Sequence, residues 1–219
     1  IFMELLQQVM QQLVNGISLG SIYALIALGY TMIYGIIKLI NFAHGDIYMV
    51  GAYIGFFAIT QAHLSIVPSL LISLVVTGFL GMVVERLAYK PLRHAPRISV
   101  LITAIGVSFF LEYTTMYFVS PTPRTFPAMF GDVAVNIAGI VINGQQMLIL
   151  GITAVLMVVL TYIVQKTKTG KAMRAASFDT ETAQLMGIDS DRIISLTFGI
   201  GSALAAVAGV LVGVYYNSI

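Results

Sequence analysis

The sequence predicts an all-α integral membrane protein, a multi-span helical bundle, and three observations carry that expectation. Hydrophobic residues make up 58% of the 219 residues and charged ones 9%, where soluble domains carry about a quarter. The mean hydropathy is +0.95. The apolar residues also fall into runs long enough to cross a bilayer core, which takes ~20 residues per helix, and the basic residues gather between alternate runs. The net charge is only +2, which excludes a nucleic-acid groove. Cysteine is absent, so disulfides and thiolate metal sites are excluded. The first residues show neither a basic region nor a small-residue cleavage site of a signal peptide.

Residues 1–219 read as one transmembrane domain with six spans near 9–37, 47–62, 66–88, 98–119, 147–164 and 193–216. The second is short enough to be a broken or re-entrant element. Ahead of the first, "ELLQQVMQQL" puts Gln7, Gln8, Gln11 and Gln12 on one helical face, expected to lie along the outer interface. Lys38, the group Arg86, Lys90, Arg93 and Arg97, and the group Lys166, Lys168, Lys171, Arg174 and Arg192 occupy alternate loops, ten of the eleven basic residues. Basic loops stay cytoplasmic, so the N-terminus and the outer loop 120–146, with Arg124 alone, are expected outside. That loop holds Pro121, Pro123 and Pro127 and then alternates as "VAVNI" and "IVING", a hairpin pattern.

Small residues recur every fourth position in the last span, at Gly201, Ala205, Gly209 and Gly213, and Gly16, Gly20 and Ala24 do so in the first, with Gly51 and Gly55 in the second. Such stripes let helix backbones touch in lipid. Between the first two spans, "NFAHGD" interrupts the apolar run. Either Asn41 or Asp46 caps a helix start, or Asn41, Phe42, His44 and Asp46 line a pathway or gate at the cytoplasmic mouth. A metal or catalytic site there lacks partners, because His63 lies on the outer side and His94 in another loop. Glu112 sits inside the fourth span, where a carboxylate must be satisfied or protonated.

The cytoplasmic segment 166–192 is the most charged part of the chain, with five of the twenty formal charges between Ala176 and Arg192. Lys171 and Arg174 share one face of a short helix and Ala172, Met173 and Ala176 another, a pattern suited to anionic headgroups. A second short helix follows. Asp179 is placed to cap it, Glu181 sits in its first turn, and Gly187 is placed to stop it. Ile188 can fold back on Ala183, and Asp189 can cap the last span. "KTGKA" fails as a phosphate-binding loop, since Gln165 stands where a glycine is needed and Ala172 where a hydroxyl is needed.

"GISLGSIYALIALGYTMIYGIIKLINFAHGD", "ERLAYKPLR", "TGKAMRAASFDTETAQLMGID" and "ALAAVAGVLVG" together resemble the LivH-type permease subunit of branched-chain amino acid ABC importers, from about Val9 to Tyr216. The resemblance implies an ABC-importer permease fold and an "EAA…G" coupling helix at Glu181, Ala183 and Gly187, with Thr182 in place of the middle alanine and Asp179, Leu185 and Met186 alongside. It implies a LivM-like second permease, two cytoplasmic ATPases holding ATP and magnesium, an external substrate-binding protein and a bacterial inner membrane. No cofactor is expected in this chain, and the family pattern continues beyond Ile219 with further spans. Relatives of this kind also carry urea, amides or other amino acids. An ion-coupled carrier and a membrane enzyme are the other classes, with Glu112 the one intramembrane carboxylate for the former and no convergent nucleophile or ligand set for the latter.

Overall fold

The computed structural model describes residues 2–93, 95–127, 134–137 and 139–219. The order is α1 (Phe2–Ile37), α2 (His44–Thr60), α3 (Ile66–Val84), a π-helical turn (Glu85–Tyr89) and a short 3-10 turn (Lys90–Leu92), α4 (Arg97–Val119), β1 (Ala134–Ile137), β2 (Ile140–Asn143), α5 (Gly144–Lys166), α6 (Lys168–Phe178), α7 (Thr180–Leu185) and α8 (Ser190–Tyr216). His94 and Val133, on which two expectations fell, lie outside the described residues.

α8 is the axis of the bundle, with α1, α2 and α3 packed around it. Its small residues are the reason. A Cβ added at Gly201 would sit 2.8 Å from the Gly29 carbonyl oxygen, and one at Gly209 2.7 Å from that of Tyr48. Gly213 faces the Phe126 ring, and Ala205 is fully buried. With no hydrophobic drive between helices in lipid, such backbone approach supplies the dispersion contacts that hold them together. The α8 stripe therefore packs as the sequence suggests, and so do Gly51 and Gly55 of α2, against Ala206 and Val210. Gly16 and Gly20 do not: both are exposed and neither has an atom within 4 Å of an added Cβ. The glycine of α1 that meets α8 is Gly29, nine residues beyond Gly20 and thirteen beyond Gly16.

Among the described residues, five helices are long and apolar enough to cross a membrane: Met3–Ile37, Ile66–Leu92, Arg97–Val119, Gly144–Lys166 and Ser190–Tyr216. The expected count of six is one too many by this measure. α2 has 17 residues, ~25 Å at 1.5 Å per residue, short of a ~30 Å core. Protein covers it instead of lipid. It pairs with α3, where the Ser73 hydroxyl donates to the Gly51 carbonyl at 2.6 Å, and Phe126 of the segment after α4 packs against Phe56 near its end, with ring centroids 5.7 Å apart.

The expected interfacial N-terminal helix is also corrected. α1 is continuous for 36 residues, ~54 Å, and its glutamine face stands against the β-hairpin. Gln11 Nε2 donates to the Val141 carbonyl at 2.8 Å and Gln11 Oε1 accepts from the Val141 N–H at 2.8 Å, so a side-chain amide completes one edge of the ladder. No proline or glycine lies between Phe2 and Asn15 to break the helix. The hairpin itself forms as the alternation predicts, with Val135 opposite Ile142 and Asn136 opposite Val141. Arg124, the one cation expected on the outer side, donates to the Val119 carbonyl at the end of α4 and lies over the Phe57 ring, 5.8 Å from its centroid. It tidies a helix C-terminus, where positive charge is favoured.

Candidate coupling and gate sites

α7 is too short to be stable alone, and its ends are specified residue by residue. Asp179 Oδ1 accepts from the Glu181 N–H at 3.0 Å and the Thr182 N–H at 3.1 Å, and its Oδ2 accepts from the Thr182 hydroxyl at 2.6 Å. These bonds, the Thr182 hydroxyl first, hold the Asp179 carboxyl below the usual carboxylate range. At the other end Gly187 takes φ +82°, a conformation that an L side chain resists. The Gly187 N–H reaches the Gln184 carbonyl at 2.9 Å and the Ile188 N–H the Ala183 carbonyl at 3.1 Å, the two bonds of a Schellman stop. Asp189 then caps α8 by accepting from the Arg192 N–H at 3.1 Å.

The rod so formed has two faces. Ala183 is buried against the bundle beside Met173, Ala176 and Ile193. Leu185 and Met186 are 87% and 79% exposed, and Phe178, just before the cap, is 95% exposed. Three large apolar side chains are thus exposed along one charged segment, the kind of surface that marks interaction sites. Leu185 and Met186 were expected here and Phe178 was not. The apolar face of α6 also departs from expectation, because Met173 and Ala176 pack into the bundle rather than onto lipid.

Behind α7 lies a cavity of about 290 Å³, bounded by Thr180, Glu181 and Gln184 on one side and by Tyr89, Arg93 and Asp191 on the other. Here Arg93 donates to both Glu85 and Asp191, and Lys90 Nζ lies 2.7 Å from Asp191 Oδ2. Glu85 is 1% exposed, and the guanidinium fork suits two carboxylates at once. The cluster ties the π-helical end of α3 to the first turn of α8, only four residues after α7. Sequence reasoning missed it because Glu85 and Asp191 are far apart in the chain; the one available signal was a carboxylate within the otherwise basic "ERLAYKPLR".

The "NFAHGD" residues are not gathered into one site. Asn41 is buried; its Oδ1 accepts from the Ala43 N–H at 3.1 Å and from the Tyr89 hydroxyl at 2.6 Å. It thus turns the chain into α2, while the residue at the cap position, Ala43, supplies no side-chain bond. His44 is buried, edge-on to Tyr30 with centroids 5.7 Å apart. Phe42 is exposed. Asp46 accepts from Ser108 of α4 and caps nothing. Glu112 is half-buried on α4, and no group of three metal-ligating side chains occurs among the described residues.

A family model described as the permease component of the branched-chain amino acid transport system matches residues 12–219. The chain belongs to this permease family. It is 45% identical over 224 residues to the high-affinity branched-chain amino acid transport system permease protein BraD of Pseudomonas aeruginosa, covering 96% of this chain and 72% of that protein. It is 41% identical to the corresponding permease proteins LivH of Escherichia coli K12 and Salmonella typhimurium, with the same coverage of 96% and 72%. No solved structure gives a significant match. The permease chain is thus a helical integral membrane protein and a transport component.

Proposed function

We propose that the chain is one half of the translocation pathway of an ATP-driven importer for branched-chain amino acids in a bacterial inner membrane. The observation that carries the reading is α7, a rod fixed at both ends, with Leu185 and Met186 at its end and Phe178 of α6 just before its cap all exposed. A cytoplasmic ATPase receives that patch, and a LivM-like permease forms the other half of the pathway. An external binding protein delivers the solute to the side of the hairpin and the N-terminus. ATP and magnesium belong to the ATPase subunits.

The rod is short and stiff, so a push on it reaches the bundle with little loss. One route runs through Ala183 into the lower core of Ile33, Ile194 and Phe198. The other runs through the first turn of α8 and the Asp191–Arg93–Glu85 cluster to α3. Because α8 contacts α1, α2 and α3 along smooth glycine and alanine seams, displacing its end rocks all three. The same seams permit the alternating access a transporter requires.

Uptake and ATP hydrolysis measured together in vesicles test the coupling. Gly187→Pro and Glu181→Lys should leave membrane insertion intact while uptake per ATP hydrolysed collapses. Normal uptake in both variants would overturn the role of α7.

A further inference from the structure

The cytosolic end carries a second cleft that the coupling geometry does not use. It holds about 340 Å³ and lies between Lys168 and Ala172 of α6, Asp189 of the linker, and Arg192, Ile193 and Leu196 in the first two turns of α8. Its composition is graded along α8, charged at Asp189 and Arg192 and apolar at Ile193 and Leu196. That gradient matches the passage from headgroup to acyl chain. Two further features are consistent with a membrane boundary at this point. Tyr162, one turn before the end of α5, is exposed, as aromatic residues at a membrane boundary are. The Arg174 guanidinium donates to the Val164 carbonyl, which folds α6 back against the end of α5.

The cations here are also free in a way that others nearby are not. Lys90 and Arg93 are neutralised by Asp191 and Glu85. Lys168 and Arg192 are exposed and make no salt bridge among the described residues. The one carboxylate in the cleft, Asp189, accepts from the Arg192 backbone N–H and so directs its charge at the start of α8. Lys171 and Arg174 recur at three-residue spacing along α6, which keeps the local potential positive.

We propose that this cleft binds an anionic phospholipid, with the headgroup phosphate between Lys168 and Arg192 and the first methylenes of an acyl chain against Ile193 and Leu196. Basic pockets among transmembrane helices on the cytoplasmic side take such headgroups. The site rests on the proposed orientation only for the leaflet it faces, and binding in micelles is independent of solute and of ATPase. Bound lipid would brace α6 against α8 on the flank of α7 away from the Glu85 cluster.

Native mass spectrometry of the purified full chain in detergent, titrated with phosphatidylglycerol or phosphatidylcholine, tests the site. The chain should retain phosphatidylglycerol about tenfold or more better than phosphatidylcholine, from ~1 kcal/mol per basic residue. Lys168→Gln with Arg192→Gln should abolish the preference. Ala172→Phe, which fills the cleft without changing its charge, should do the same and carries the test if the charge variants aggregate. Arg97→Gln, at another cytosolic span end, should leave it unchanged. Equal retention of both lipids by the unaltered chain, an undiminished preference in the cleft variants, or an equal loss in Arg97→Gln would overturn the site. Complete displacement by millimolar inorganic phosphate would show an anion site without a lipid and would overturn the lipid assignment.

Discussion

At the scale of single residues, the coupling rod depends on two positions that tolerate little. Asp179 closes the first turn of α7 with three hydrogen bonds, satisfying backbone N–H groups that the helix itself leaves without partners. Because the folded carboxyl titrates below its ordinary value, the cap is fully present above the unfolded carboxylate pKa of ~3.9 and is lost as pH falls through the depressed value. The protection factors of the Glu181 and Thr182 amides should therefore be constant at neutral pH and fall only below about pH 4. In Asp179→Ala the lowered protection should appear at every pH. Glycines sort by contact in the same residue-level way. Gly51→Val must push an added Cβ to within 2.5 Å of the Ala206 Cα and should cost about 1–3 kcal/mol, read as a lower melting temperature in detergent. Gly16→Ala should cost nothing, since its stripe faces no described neighbour.

At the scale of elements, the link between α3 and α8 is the junction most exposed to mutation. Glu85 is buried and Arg93 nearly so, and removing one partner of a buried pair costs about 3–5 kcal/mol because the other charge is stranded. Arg93→Ala and Glu85→Ala should each lower the melting temperature sharply, while the double variant should lower it by much less than the sum. Lys90→Ala should change it little, since Lys90 and Asp191 are both about half exposed and surface pairs contribute about 0–1 kcal/mol. The pair straddles the π-helical turn at Glu85–Tyr89, with Arg93, eight residues after Glu85, giving its guanidinium to Glu85 and Asp191. Such turns concentrate at functional sites.

At the scale of the whole molecule, orientation is the property that binds the rest together, and the chain offers a clean measurement of it. It has no cysteine, so a single introduced thiol is the only one. Leu185→Cys should react with a membrane-impermeant thiol reagent only when the reagent reaches the cytoplasmic side, and Thr122→Cys only from outside. The reverse pattern would overturn the proposed coupling. The arrangement of ends supports the prediction: Asn41 and Tyr89 meet at one end of the bundle, while residues 124–126 pair with Asn217 and Ile219 at the other, beside the end of α2.

Much of this was legible in the chain because the signals were local. Helix stops at Gly187, the cap at Asp179 and the hairpin alternation each rest on a few adjacent residues whose backbone chemistry leaves one solution. The spans rest on length and apolarity alone. What the tertiary structure decided was pairing. It put Gly29 rather than Gly16 against α8, gave Gln11 of α1 a hairpin edge instead of an interface, placed the short α2 under a protein cover, and joined Glu85 to Asp191 through Arg93. In lipid every apolar face looks alike to a sequence, so which stripe meets which is settled only by backbones close enough to touch.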